Sequence, residues 1–148
     1  MNQIMVRQAN EHDFPFIFSL IREFVVFQKT PEKLTLTLEQ MQKEKEFFKA
    51  FVAVDEGGKI IGFASYYFAY YSWSGKAIYL DDLYVKESSR GQNAGTKLLN
   101  AIIELGKENE FKKIRWQVSK WNTKAVDFYK KIGAVMDDTE MNCDLKIN

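Results

Sequence analysis

The feature that most constrains the fold is a change of hydrophobic period in the middle of the chain. Two apolar runs, residues 51–54 and 59–68, flank the turn sequence Asp55-Glu56-Gly57-Gly58, which predicts an antiparallel β-hairpin. A third strand is predicted over residues 77–85. The segment 98–105 then places apolar residues at helical spacing. A series of hairpin strands followed by a helical crossover is therefore predicted.

Shorter segments complete this pattern. Residues 4–7 have the composition of a first strand, and Asn10 or Asp13 can cap the helix that follows. Thr37 and Gln40 have the spacing of a capping box, which predicts a second, mostly solvated helix. The remaining predicted elements are a strand over 114–118, a helix over 122–132 and a closing strand over 143–147. Together they predict an α/β (α+β) fold in a single domain, residues 1–148.

Composition narrows the function. A chain of 148 residues is about one domain in length, and its net charge of +1 provides no long-range field that would attract nucleic acid or anionic lipid. With one cysteine, Cys143, and one histidine, His12, the chain lacks the usual Cys/His ligands of a zinc site. No basic stretch followed by an apolar run opens the sequence. We therefore expect a soluble cytoplasmic protein without a metal.

The strongest chemical signal is the loop Arg90-Gly91-Gln92-Asn93-Ala94-Gly95-Thr96, between a predicted strand and a predicted helix. Small residues let an anion approach the unpaired N–H groups at a helix N-terminus, so this loop has the features of a phosphate site. A tight turn without a ligand is the alternative. The spacing of the glycines differs from the loop of nucleoside triphosphatases and from the dinucleotide fingerprint.

A second motif gives the loop its context. The segment from Trp121-Asn122 through Phe128-Tyr129 to Gly133-Ala134, taken with the loop, resembles the GNAT family of acetyl-CoA-dependent N-acetyltransferases. Residues 61–68, Trp73 and the run Tyr79-Leu80-Asp81-Asp82 are similar to its spermidine/spermine branch, which includes diamine and thialysine acetyltransferases. The resemblance implies the GNAT fold, a mixed, mostly antiparallel sheet flanked by helices, with acetyl-CoA as the acetyl donor.

The same resemblance implies the residues that bind the coenzyme. Strand residues Leu83, Tyr84 and Val85 would offer backbone groups to the acetyl and pantetheine parts. The pyrophosphate would be held by Arg90, Gly91, Gln92, Asn93, Ala94, Gly95 and Thr96, and the next helix would contribute Asn122 and Lys131. Asn93 replaces the usual middle glycine of the loop, which is tolerable because asparagine readily adopts positive φ. For Lys131, a solvated helix end is the alternative.

Acetyl transfer to an amine needs a group that accepts a proton and a group that donates one. The family resemblance assigns Tyr129 as the donor to the leaving thiolate; its alternative role is packing at a helix end. Asp81 is the candidate base. It would act through water, because its side chain is one methylene shorter than that of the usual glutamate. Asp82 is a candidate contact to a cationic substrate. Consecutive strand residues point to opposite faces, so the two are not expected to act as a pair. A solvated strand end, or ion pairs with Lys76 or Arg115, is their alternative role.

Substrate recognition is indicated by fewer residues. Phe27 and Gln28 lie where polyamine enzymes carry an aromatic residue and an acid, so the uncharged Gln28 favours a shorter amine. Trp73 belongs to an aromatic cluster that could line an amine pocket through cation–π contacts. We expect transfer of acetyl to a small diamine, polyamine or lysine-like amine by direct attack in a ternary complex. The alternatives are a protein or peptide acetyltransferase and a non-catalytic acetyl-CoA-binding module, and the family resemblance implies a homodimer.

Overall fold

The computed structural model describes residues 3–147. These residues form two compact units that are divided between Trp116 and Gln117. The first unit contains a five-stranded sheet and three helices, and the second contains one helix and the C-terminal segment. The prediction of a single domain stays a prediction.

The sheet has the strand order β1-β2-β3-β4-β5. Its strands are β1 (Met5–Gln8), β2 (Lys49–Val54), β3 (Ile60–Tyr71), β4 (Gly75–Val85) and β5 (Lys113–Arg115). The first three pairings are antiparallel and the last, between β4 and β5, is parallel. A mixed, mostly antiparallel sheet is thus confirmed, and the predicted hairpin is the pair of β2 and β3.

Four α-helices accompany the sheet: α1 (Phe14–Phe27), α2 (Leu38–Lys43), α3 (Ala94–Glu108) and α4 (Thr123–Lys131). Asn10 and Asp13 form a capping box around a short 3-10 turn that leads into α1. The Asp13 carboxylate also accepts a hydrogen bond of 2.7 Å from Arg7. The Thr37 hydroxyl oxygen caps α2 by accepting from the backbone N–H of Gln40 at 3.1 Å. Local capping chemistry therefore sets where the 3-10 turn before α1 and helix α2 begin.

Helices α1 and α3 cover opposite faces of the sheet. On one face, Ile17 and Leu20 of α1 pack in a buried cluster with Phe63 and Tyr84. Helix α3 lies against all five strands. At Gly62, next to Phe63 on β3, a Cβ atom would meet the Tyr84 carbonyl oxygen at 2.9 Å and the Leu98 side chain at 3.4 Å. Gly62 is therefore required by the close approach of the β4 backbone, and it also leaves room for Leu98 of α3.

A β-bulge interrupts β4. Ser65 of β3 pairs with Asp82, whereas its neighbour Tyr66 pairs with Leu80, so Asp81 is the extra residue on β4. A bulge disturbs the alternation of side chains between the two faces. The expectation that Asp81 and Asp82 point to opposite faces assumed regular alternation, and that assumption is wrong at this point of the strand.

Two predictions about the later strands are wrong. The strand expected over 114–118 ends at Arg115. The expected closing strand over 143–147 is not formed, and Cys143 within it is exposed. The alternation of Cys143, Leu145 and Ile147 with charged residues has strand periodicity, but a strand needs a neighbour to pair with. Within residues 3–147 this segment pairs with none, and Ile147 is 93% exposed.

Candidate active site

The bulge places two carboxyl groups where they affect each other. Desolvation by the surrounding protein raises the pKa of Asp82 to about 7, and the charge of Asp81 contributes to this rise. Desolvation also raises the pKa of Asp81, although that side chain keeps much of its surface in solvent. The backbone N–H of Asp82 donates to the Ser65 hydroxyl at 3.2 Å, which anchors the strand after the bulge. Asp82 therefore titrates close to neutral pH, unlike an ordinary aspartate.

The alternative of a structural ion pair is wrong for these carboxylates. Lys76 donates to the Asn109 carbonyl at 2.7 Å and lies over the Phe111 ring. The Arg115 guanidinium lies over the Tyr71 ring. Among the described residues, no ion pair joins Asp81 or Asp82 to a basic side chain. The raised pKa of Asp82 thus reflects desolvation and a like charge that no local cation offsets.

Three tyrosines of β3 and β4, which we call the tyrosine patch, lie between Asp81 and the β3–β4 turn: Tyr67, Tyr71 and Tyr79. The rings of Tyr67 and Tyr79 stack with centroids 5.0 Å apart. Desolvation is the main cause that raises the pKa of both hydroxyls, and the charges of Asp81 and Tyr71 add to it. Tyr67 is 48% exposed. The patch is therefore an accessible aromatic surface beside a carboxylate, a combination that suits a cationic ligand.

The end of β4 leaves one edge open. On one side, Leu83, Tyr84 and Val85 pair with β3. On the other side, β5 pairs with β4 over Ala77–Tyr79, so in the described sheet no strand covers the edge beyond Tyr79. Tyr84 is buried in the α1 cluster, whereas Leu83 and Val85 are half-buried. No described strand pairs with the backbone groups of this edge, although the Val85 carbonyl accepts from Arg90 Nε.

The loop after β4 adopts the backbone that its sequence predicts. Gly91 has φ of 86° and Asn93 has φ of 64°, so the expectation that asparagine can replace the middle glycine is confirmed. Asn93 is also the residue before α3, which runs for 15 residues from Ala94. A Cβ atom at Gly95 would meet only the Val85 side chain, at 3.9 Å. Small residues and the N-terminus of a long helix together suit an anion.

Arg90 connects this loop to α1 and β4. Its Nε donates to the Val85 carbonyl at 2.9 Å. Its guanidinium lies 4.8 Å from the ring centre of Phe27 and 5.5 Å from that of Tyr84. Phe27 is therefore placed beside the loop, at the C-terminal end of α1, with Gln28 as the next residue.

The third predicted substrate residue lies elsewhere. Trp73 is at the turn between β3 and β4 and is 98% exposed. It precedes Asp81 by eight residues, six of them along β4, which spans about 20 Å at the usual rise of a strand. The structure does not bring Trp73 to the carboxyl groups, and its role as a substrate contact stays a prediction.

The second unit holds the residues of the C-terminal motif. The Asn122 side-chain oxygen accepts from the Ala125 backbone N–H at 3.3 Å and so caps α4. Tyr129 is 8% exposed, its ring lies 5.5 Å from that of Phe128, and burial raises the pKa of its hydroxyl. Lys131 is in the last turn and exposed. An ion pair of 2.9 Å between Lys120 and Asp138 ties the following segment to the start of this unit.

Sequence reasoning missed one charged cluster near the site. Glu23 of α1 accepts from Lys86 at 2.7 Å and from the Tyr84 hydroxyl at 3.3 Å. The three residues come from two elements that are far apart in the sequence. The sequence around Glu23 does not indicate which residues its carboxylate will contact. Only the packing of α1 on β4 shows that it meets Tyr84 and Lys86.

Comparison with known proteins places these observations in a family. Residues 10–134 match the family model described as Acetyltransferase (GNAT) family. The thialysine N-epsilon-acetyltransferase of Sus scrofa is 34% identical over 145 residues, covering 90% of this chain and 85% of that protein. The enzyme of the same name from Mus musculus is 33% identical over 145 residues, again covering 90% and 85%.

A more distant relative carries the name of the spermidine/spermine branch. The spermidine/spermine N(1)-acetyltransferase-like protein 1 of Homo sapiens is 28% identical over 91% of this chain, which is 21% of that protein. Among solved structures, an aminoglycoside acetyltransferase from an uncultured soil metagenomic sample superposes with a TM-score of 0.79 at 25% identity, covering 98% of this chain and 97% of that one. The predicted resemblance is confirmed.

Proposed function

Because the chain belongs to the GNAT family and is an acetyltransferase, we propose that it transfers acetyl from acetyl-CoA to the terminal primary amine of a small lysine-like molecule. The observation that supports this acceptor is the carboxyl pair Asp81–Asp82 beside the tyrosine patch. A desolvated acid next to aromatic rings favours a ligand with a cationic end. The relatives named for thialysine point to the same class. Direct attack in a ternary complex remains part of the proposal.

The loop after β4 fits the coenzyme. The first turn of α3 contains Ala94, Gly95, Thr96 and Lys97 and no acid, a composition that suits an anion at this end of the helix. We assign the pyrophosphate to this turn and to residues 90–93, and the pantetheine arm to the open edge of Leu83–Val85. Asn122 and Lys131 are proposed to contact the coenzyme from α4. Acetyl-CoA, when bound, supplies an acetyl group activated as a thioester.

The carboxyl pair is proposed to handle the proton of the acceptor. A primary amine has a pKa of about 10 and must lose a proton before it attacks. Asp81 is exposed and receives this proton through water, because its short side chain leaves room for one. Asp82 interacts with the charge of the acceptor. Its pKa of about 7 means that it ionises near neutral pH.

Tyr129 is proposed to donate the proton that neutralises the leaving thiolate. Burial raises the pKa of its hydroxyl, so the phenol keeps its proton at neutral pH. A phenol that stays protonated at neutral pH has a proton available for the thiolate as it leaves. Its interactions with neighbours would then fix the ring in place.

An acceptor panel tests the proposed function. The release of free thiol from acetyl-CoA is measured with thialysine, lysine, putrescine, spermidine and a short peptide. Turnover of thialysine or lysine above the others supports the proposal. Turnover of the peptide alone would indicate a protein or peptide acetyltransferase instead. Turnover of spermidine alone would show that the uncharged Gln28 does not select against polyamines.

Tyr129→Phe tests the proton donor. We expect kcat to fall about a hundredfold while the Kd for acetyl-CoA stays within about twofold, because the ring remains and only the hydroxyl is lost. Kinetics and calorimetry on the same sample measure both. Phe128→Leu is the matched control, since it alters the adjacent ring without removing a hydroxyl. Unchanged turnover of Tyr129→Phe would remove Tyr129 from the mechanism.

Assembly and location complete the proposal. Exposed aromatic residues on the β3–β4 hairpin, among them Tyr70 and Trp73, support the homodimer implied by the family resemblance, and light scattering in solution tests it. Within residues 3–147 the structure contains no helix with the length and apolar character that crossing a membrane requires. A cytoplasmic location is proposed independently of that finding, and cell fractionation tests it.

A further inference from the structure

Two basic side chains lie on the far side of the tyrosine patch from the coenzyme loop along β4. Lys113 and Arg115 are both on β5, and Tyr79 of β4 is the direct partner of Arg115 in the parallel pairing. The Lys113 ammonium lies 5.0 Å from the Tyr71 ring centre and the Arg115 guanidinium 4.7 Å from it. Because residues two apart on a strand share a face, both cations border the same aromatic surface.

Neither cation is neutralised within the structure. Among residues 3–147, no carboxylate forms an ion pair with Lys113 or Arg115. Arg115 is also exposed. Two adjacent positive charges without a carboxylate repel each other, and an anion that binds between them lowers this repulsive energy. A guanidinium is particularly suited to a carboxylate, which it binds through two parallel hydrogen bonds.

Opposite charges therefore flank the patch. The Tyr79 hydroxyl lies near both Asp81 and Arg115, since the charge of Asp81 raises its pKa and the charge of Arg115 lowers it. Asp81 and Arg115 are separated by two residues along β4 and one strand spacing, about 8 Å between their Cα atoms. A linear acceptor with a cationic end and an anionic end can therefore lie along the patch, between Asp81 and the Arg115 guanidinium over Tyr71.

We propose that Arg115, assisted by Lys113, binds the carboxylate of the acceptor and so makes the enzyme select an amino acid with a terminal amine over a diamine of equal length. The proposal rests on the proposed function and adds the residue that determines specificity. A diamine places its second ammonium group next to two cations, where it is repelled. An amino acid places a carboxylate there, while its chain lies along the tyrosine patch.

A matched pair of acceptors tests this assignment. Thialysine is compared with bis(2-aminoethyl) sulfide, which is thialysine without its carboxylate. For the wild type we expect a higher kcat/KM with thialysine. Arg115→Gln is expected to raise KM for thialysine about tenfold, with kcat within about twofold, and to leave KM for the sulfide diamine unchanged or lower. Arg115→Lys should recover part of the preference because it keeps the charge.

Lys112→Gln is the control, since Lys112 is exposed and precedes β5; it should leave both acceptors unchanged. An equal effect of Arg115→Gln on both acceptors would mean a structural role and would overturn the assignment, as would no effect on either. If the wild type acetylates neither acceptor, the proposed function is wrong. Calorimetry of thialysine binding then decides the assignment separately: about tenfold weaker binding to Arg115→Gln supports it, and equal or undetectable binding to both proteins overturns it.

Discussion

The loop between β4 and α3 and the bulge in β4 are both polar interruptions of the apolar pattern, but they depend on different parts of the residue. The loop depends on backbone conformation, with positive φ at Gly91 and Asn93. The bulge depends on side-chain charge, since Asp82 has a pKa of about 7 because it is desolvated beside Asp81. A residue in the loop can therefore be replaced by another that adopts the same φ, whereas the carboxylates have no neutral substitute.

The largest expected effect is at the bulge. Asp81→Asn should lower kcat/KM about a hundredfold, most strongly below pH 7, because the fraction of free amine falls about tenfold with each pH unit and the proton route is lost. The wild-type profile should fall as the pH drops through about 7, and Asp82→Asn should remove this inflection while retaining more activity than Asp81→Asn. A pH series of kcat/KM for both variants measures this. A flat loss in Asp81→Asn would indicate that the amine arrives deprotonated.

In the loop, Gly91→Val should weaken acetyl-CoA binding about tenfold. A β-branched residue at φ of 86° costs roughly 1–2 kcal/mol and displaces the loop. Gly57→Ala is the matched control, since Gly57 lies in another turn where the added Cβ makes an ordinary contact of 3.5 Å. Calorimetric titration with acetyl-CoA compares the two. Equal affinities would show that the loop backbone is not part of the coenzyme site.

The bulge should also have a measurable cost for stability. The pKa of Asp82 is raised in the folded state, so the folded protein holds this proton more tightly than the unfolded chain does. The penalty is absent below about pH 4, grows as the pH rises to about 7 and is constant above that. Asp82→Asn should therefore stabilise the protein by about 1–2 kcal/mol at pH 8 and by nearly nothing at pH 4. Urea unfolding at both pH values measures this difference, and an equal gain at both would assign it to packing.

The smallest effect is expected at Asn93, which replaces the usual middle glycine of the loop. Asn93→Gly should change acetyl-CoA affinity by no more than about twofold, since both residues adopt φ near 64°. Asn93→Ala should cost about 1 kcal/mol of stability, because alanine is strained there. Thermal unfolding and coenzyme titration of the two variants test whether the loop requires only a conformation. A large loss in Asn93→Gly would instead indicate a role for the amide side chain.

Much of the fold could be predicted because its signals are local. The turn Asp55–Gly58 closes with a hydrogen bond of 3.0 Å between its first and last residues, and Thr37 caps its helix as its spacing predicts. The positive φ of Asn93 follows from the residue type. The closing strand over 143–147 shows the limit, because strand periodicity specifies one partner of a pairing and not whether the other is present.

The sequence by itself determined the mixed sheet, the faces of the helices, the backbone of the loop after β4 and the family resemblance. All of these depend on spacing along the chain or on the conformational freedom of single residues. Only the tertiary structure decided that Asp81 is the extra residue of a bulge, that Asp82 is desolvated beside it, and that Lys113 and Arg115 border the tyrosine patch. Register, desolvation and charge separation are properties of neighbouring strands, and they arise only when the strands pair.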